Sequence, residues 1–230
     1  ATVFSRELNQ AFSFLAGAPD ELPEPVSEGL NLGFSQIADK PSSTIALVGG
    51  QVVTMRDADN AQEVISNGVV VVQDNRIVAV GKVGEVSIPA DAQIIDVSGK
   101  TLTPGLIDGH AHGSQATEEI IPQQNWKNLS SLAFGVTTIH DPSNDSSEIF
   151  AASEMQRSGQ ILGPRIFSTG TIVYGANSPT AHARINSYED AFFHLQRLKD
   201  MGAVSVKSYN QPRREQRQQV LKPARALELM

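Results

Sequence analysis

Thr103-Pro104-Gly105-Leu106-Ile107-Asp108-Gly109-His110-Ala111-His112 is the stretch on which the reading of this chain turns. A short apolar run, Gly105–Asp108, is led in by Pro-Gly and closed by His-Ala-His, which reads as a strand with two histidines at its carboxyl end. In extended backbone, residues i and i+2 point to the same side. His110 and His112 are therefore expected to project together, and two neighbouring imidazoles are a chelate for a divalent metal. A bare His-x-His can equally be two unrelated surface histidines; the Pro-Gly strand in front of it makes this one far more specific. In parallel α/β folds, the carboxyl ends of the strands are where sites gather.

Downstream the rhythm is strand then helix. Helix candidates are Gln124–Phe134, Ser146–Ser158, Tyr188–Met201 and Pro212–Leu229. The strands Gly105–Asp108, Val136–His140, Arg165–Thr169 and Val204–Ser208 precede them in turn. Ser146 and Ser187 stand at helix starts, and Gly135 and Gly202 stand where a helix ends before a strand. About four βα units in a row predict a parallel sheet. They make either a small open sheet or half of an eight-unit barrel.

Upstream, residues 44–103 carry short β-prone runs: Thr44–Val48, Gln51–Met55, Gly68–Val72, Arg76–Val80, Gln93–Val97 and Thr101–Thr103. Turn signals at Gly49-Gly50, Asp57–Asn60, Asp74-Asn75, Gly81 and Pro89 separate them. Asp74-Asn75 between two apolar runs predicts a hairpin, and the spacing points to a small β-sandwich or barrel. Residues 1–43 hold one short helix candidate, Arg6–Ala16, and are otherwise punctuated by Pro and Gly; they read as a linker or the tail of a preceding domain. The expected division is thus 1–43, a β-sandwich segment 44–103, and a βα segment 104–230.

Composition narrows the chemistry. The 230 residues exceed a typical single domain, 40% are hydrophobic and 19% charged, and the net charge is −7. With 18 basic against 25 acidic residues and no long basic run, nucleic acid is not an expected partner. No run approaches a membrane span, and the start lacks the order of a signal peptide; the compartment stays open between cytoplasm and periplasm. There is no cysteine, so a metal would be held by His, a carboxylate or a modified Lys rather than by thiolate.

Pro104–His112 resembles the P-G-x-I-D-x-H-x-H signature of the metal-dependent amidohydrolase superfamily. Gly50–Val53, Gly68–Val72, Asn75–Val80 and Ile94–Lys100 are similar to the β-sandwich strands that precede that signature, and Phe134–Asp141 to the family's second barrel strand. The likeness covers about residues 44–210. It is greatest to the imidazolonepropionase- and prolidase-like branch, and extends to amidohydrolases that carry a TolB-like propeller before the hydrolase part. The resemblance implies the N-terminal part of a (β/α)8 TIM barrel preceded by a small β-sandwich. It assigns His110 and His112 as metal ligands, and Lys207, on the fourth strand, as a bridging ligand that is often carbamylated. A buried Lys favours the neutral amine, which can take up CO2. The implied cofactor is one or two divalent ions, zinc by the donor types.

The family's later histidines and its proton-accepting aspartate cannot be assigned among these residues. His140, at the end of the second strand, and His182, in the loop Ile172–Asn186, are candidates for the substrate side. His194, beside Phe192 and Phe193, reads as outer-surface or packing; Asp108 and Asp141 stand near the rim, with a supporting role at most for Asp108. The implied reaction is hydrolysis of an amide or cyclic amide C–N bond by a metal-activated water, on a small-molecule or dipeptide-like substrate. The alternative is a catalytically incompetent module of the same fold that only folds and assembles. An exposed sheet edge after the fourth strand makes a homo-oligomer the expected state.

Overall fold

The computed structural model describes residues 2–56, 63–178 and 181–230. The turn expected at Asp57–Asn60, and Pro179 of the long loop, lie outside the described residues. The chain divides into two compact units, Ala1–Ile37 and Ala38–Met230. In the first, β1 (Thr2–Val3) pairs antiparallel with β2 (Leu30–Asn31), and α1 covers only Leu8–Ala11. The helix expected over Arg6–Ala16 stops after one turn because the backbone becomes extended at Phe12; the Arg6 guanidinium instead donates to the Pro23 carbonyl at 2.8 Å. None of residues 2–37 is buried, so this unit has little core of its own.

The second unit begins with one five-stranded sheet. β3 (Thr44–Val53), β4 (Val64–Gln73), β5 (Arg76–Lys82) and β6 (Gln93–Asp96) lie in the order β5-β4-β3-β6, and β7 (Thr101–Leu102) pairs with the far end of β3. The hairpin at Asp74-Asn75 is present: Gln73 pairs with Arg76, and the turn residues have φ of 51° and 72°. Positive φ at both positions is the type I′ geometry that matches strand twist.

The two runs Thr44–Val48 and Gln51–Met55 form one strand, because Gly49-Gly50 makes a bulge and not a turn. The register shifts there, Gly49 has φ 92°, and a Cβ on it would sit 2.6 Å from Ser98 Oγ. Ala46, Val69 and Val71 are buried on one face, packed by Val86, Ile88 and Ala92 of the β5–β6 connection. On the other face Leu47, Val70, Val72, Ile77 and Val80 line an open apolar groove. The strand spacing points to a small β-sandwich or barrel; the described residues of 44–103 build one sheet.

From β8 (Leu106–Asp108) the chain alternates. α2 (Trp126–Ala133), β9 (Val136–Asp141), α3 (Ser146–Arg157) and β10 (Arg165–Ser168) come next, then β11 (Val173–Tyr174), β12 (Ala183–Arg184), α4 (Tyr188–Asp200) and α5 (Arg214–Ala226). β8, β9 and β10 form a parallel sheet with β9 in the centre. Ser187 caps α4 through its side chain, but α3 is capped by Asp145, one residue before the expected Ser146. Gly135 and Gly202 leave their helices at φ 81° and 108°, the left-handed backbone that only glycine adopts freely. Ile139 of β9 and Ile166 of β10 pack with Ile149 and Phe150 of α3 and Leu195 and Leu198 of α4 in the main core.

The fourth strand, expected over Val204–Ser208, is not a regular strand. Val173 N–H donates to the Lys207 carbonyl at 3.1 Å, and a single bridge joins Val173 to Ser208. On the other side Val206 N–H donates to the Met230 carbonyl at 2.8 Å, and Met230 N–H to Val204 at 3.2 Å. The parallel sheet therefore has three strands where the sequence rhythm indicates four. Just past Ser208, the Gln211 side-chain amide, and not backbone groups, continues the pairing with β11.

Candidate functional site

The two histidines of the opening motif do come together, though strand parity is not the cause. β8 ends at Asp108, and His110 N–H donates to Asp108 Oδ1 at 3.0 Å in a turn closed by the aspartate side chain. After that turn Ala111 N–H donates to the His140 carbonyl at 3.0 Å, which carries β8–β9 pairing beyond the strand. The His110 and His112 rings then lie edge to face with centroids 4.9 Å apart, and both residues are exposed.

His112 Nδ1 lies 3.2 Å from Asp141 Oδ1. Asp141 ends β9 and is 2% exposed. Its carboxylate also accepts the Ser143 N–H at 2.9 Å and Asn144 Nδ2 at 2.8 Å. Asn144 Nδ2 reaches the Gly113 carbonyl at 2.9 Å as well, tying the end of β9 to the backbone just after His112. A carboxylate on Nδ1 sets the ring orientation and leaves Nε2 with its lone pair for a ligand, the arrangement typical of metal-binding histidines. The sequence places Asp141 near the rim and assigns it no role. Its position, an acid ending an apolar strand beside the His-x-His strand, was the available signal.

The other candidates have partners of their own. His140 is half-buried, and its Nε2 is 2.7 Å from Ser205 Oγ, so it joins β9 to the 204–208 segment. Lys207 is half-buried, with Nζ 5.9 Å from the centre of the Tyr209 ring. Tyr209 packs edge-on against Tyr174 at 5.6 Å, and Tyr174 against His182 at 5.8 Å. Two groups result: His110, His112 and Asp141 in one, and Lys207, Tyr209, Tyr174 and His182 in the other. Among the described residues no three His, Asp or Glu side chains converge to hold a metal. His110 and His112 fit two ligand positions of a divalent ion such as zinc, since both are imidazoles, they are adjacent, and one is held by a buried carboxylate.

No family model matches the chain. It is 38% identical over 87 residues to imidazolonepropionase of Geobacillus sp. (strain WCH70), which covers 34% of this chain and 20% of that protein. It is 36% identical over 100 residues to enamidase of Eubacterium barkeri, covering 43% of this chain and 25% of that one. In three dimensions it is similar to a Xaa-Pro dipeptidase with bound methionine in the active site, with a TM-score of 0.61, 18% identity, and coverage of 81% of this chain and 55% of that chain.

Over the matched stretches the chain is similar to imidazolonepropionase and enamidase in sequence, and its fold is similar to that of the solved dipeptidase. It spans a quarter or less of these two relatives and about half of the solved dipeptidase chain. The shared fold is mixed α/β.

Proposed function

We propose that this chain carries the first part of a metal-dependent amidohydrolase site, in which His110 and His112 hold a divalent ion, zinc by the donor types. The observation that carries the reading is the pair of adjacent imidazoles with His112 oriented by the buried Asp141 carboxylate. A divalent ion held there by His110 and His112 would supply a water with its pKa lowered toward ~7 and a polarised scissile carbonyl. Asp141 keeps the His112 ring in place, and Asn144 keeps Asp141 in place. Lys207, as the amine or as a carbamate formed with CO2, is assigned as a further ligand. His182 and His140 are assigned to the substrate side. The reaction is hydrolysis of an amide or cyclic amide: water oxygen adds to the carbonyl carbon, the C–N bond breaks, and the leaving nitrogen takes a proton. The substrate class is a small amide, a cyclic amide or a dipeptide.

In this reading the chain divides into a leading segment 1–43, a sheet at 44–103 that forms one layer of a β-sandwich, and a half-barrel at 104–230. The exposed apolar residues Leu106, Ile107, Trp126 and Phe134 then favour self-association. The test is hydrolysis of a panel of N-acyl amino acids, X-Pro dipeptides and cyclic amides by the zinc-supplemented chain and by His112→Ala. Turnover that is lost in His112→Ala supports the reading. Equal turnover in both removes it. A second reading, an inactive module of the same fold, is favoured by the lack of a three-ligand cluster among the described residues; zinc bound at His110 and His112 with no turnover of any panel member is its signature.

A further inference from the structure

We propose that Gln211 and Gln216 are positioning residues: their side-chain amides replace ladder hydrogen bonds between β11 and the segment after Lys207, and so set where Tyr174, His182 and Tyr209 lie. Backbone pairing stops at Val173, whose N–H donates to the Lys207 carbonyl. Beyond it, Gln211 Nε2 donates to the Val173 carbonyl at 2.9 Å, and Gln211 Oε1 accepts the Gly175 N–H at 2.9 Å. A residue facing Tyr174 in a parallel ladder would satisfy the same carbonyl and the same N–H, two positions apart. One side-chain amide thus stands in for one strand residue.

Gln216, at the start of α5, donates its Nε2 to the Gly175 carbonyl and accepts the Arg213 N–H at 3.3 Å. Both glutamines are buried, at 3% and 4% exposure, so their amides depend on these partners. Gly175 permits the approach: a Cβ there would lie 2.5 Å from Gln216 Nε2. On its other side Tyr174 accepts the Ile185 N–H at 3.1 Å. Tyr174 is therefore fixed from both sides, and its ring carries the contacts to His182 and Tyr209. The clamp stands on these bonds alone; its bearing on substrate rests on the assignment of His182 and Lys207 to the site.

The test uses the full chain and needs neither metal nor substrate. Amide hydrogen exchange and the His182 ring-proton resonances are measured in Gln211→Met, which keeps length without donor or acceptor, and in Gly175→Ala, which pushes Gln216 away from the other side. Exchange at Gly175 is expected to rise about tenfold for one lost buried hydrogen bond in Gln211→Met. The His182 resonances should shift in both variants, while exchange in β8, β9 and α3 stays as it was. Unchanged His182 resonances and unchanged Gly175 exchange would overturn the proposal. So would a rise of equal size in every element, which marks loss of stability and not of position. If Gln211→Met does not fold, Gly175→Ala and Gln216→Leu give the same readout. A failed clamp leaves the metal assignment standing, and a metal-free chain leaves the clamp standing.

Discussion

Two stretches of this molecule bring candidate site residues together, and they are built differently. At His110, His112 and Asp141 the work is done by backbone ladders: β8 pairs with β9, the pairing runs on through Ala111 and His140, and the side chains ride on it. At Tyr174, His182, Lys207 and Tyr209 the ladder is a single bridge, and two buried glutamine amides complete it. The first arrangement rests on backbone pairing that runs past Asp108, with one turn closed by the Asp108 side chain. The second depends on particular side chains at Gln211 and Gln216 and on a glycine that lets one of them in. Position therefore rests mainly on backbone pairing in the first, with Asp108, Asp141 and Asn144 completing it, and mainly on side-chain amides in the second.

The two regions differ in pairing and not in packing, and the largest expected effect lies in the core they share. Ile139, 3% exposed in β9, and Ile185, 0% exposed beside the second group, are each expected to cost about 2–5 kcal/mol when changed to alanine, read by denaturant unfolding. A cost for Ile185→Ala near zero would mean that the second region is unpacked, and the contrast would be one of order and not of pairing. Next, Asp141→Asn keeps the shape of the carboxylate but weakens its hold on His112. Zinc affinity by titration is expected to fall about 10–100-fold, as for other partners of metal-bound histidines. Ser205→Ala, which removes the partner of His140, should leave that affinity where it is.

A smaller effect is expected at the helix behind the ladder-built group. The Asp145 side chain caps α3 by accepting the Ser147 and Glu148 N–H groups. Its carboxyl is held below the ordinary carboxylate value, chiefly by the Ser147 hydroxyl and against the effect of burial. Asp145→Ala should cost about 1 kcal/mol. The cap's contribution is present above the ordinary Asp value and fades as pH falls through the lowered one. The smallest effect belongs to His194 of α4, whose Nδ1 is buried without a hydrogen-bond partner. Burial first, and Arg197 second, push its pKa below the ordinary 6.5, while Asp190 and the Arg184 backbone oppose the shift. The folded chain favours the neutral ring. That stabilisation is full above about pH 6.5 and declines as pH falls through the lowered value, and His194→Gln should flatten this part of the melting-temperature profile.

Much of this was legible in the sequence, and the exceptions share a cause. The Asp74-Asn75 hairpin, the helix exits at Gly135 and Gly202, and the cap at Ser187 were readable because each rests on local backbone chemistry. The Gly49-Gly50 pair misled because the same residue type serves a turn and a bulge, and only the position of Ser98 across the sheet decides between them. Val204–Ser208 has strand-like residues but lacks a full partner ladder, since pairing is a property of two segments and not of one. The closeness of His110 and His112 was anticipated from strand parity, yet the turn closed by Asp108 produces it. Asp141 has no assigned role in the sequence because its burial and its bond to His112 depend on a neighbouring strand that is distant in sequence. Gln211 and Gln216 carried no signal at all: in the sequence they look like polar residues at the edge of a helix.

The most direct test of the central claim, that His110 and His112 form a metal-binding pair, is the metal content of the purified chain by elemental analysis beside His110→Ala/His112→Ala. Zinc or a similar divalent metal near one per chain, lost in the double variant while its circular dichroism is retained, is the expected result. Equal metal content in both proteins, or none in either after incubation with zinc, would contradict it.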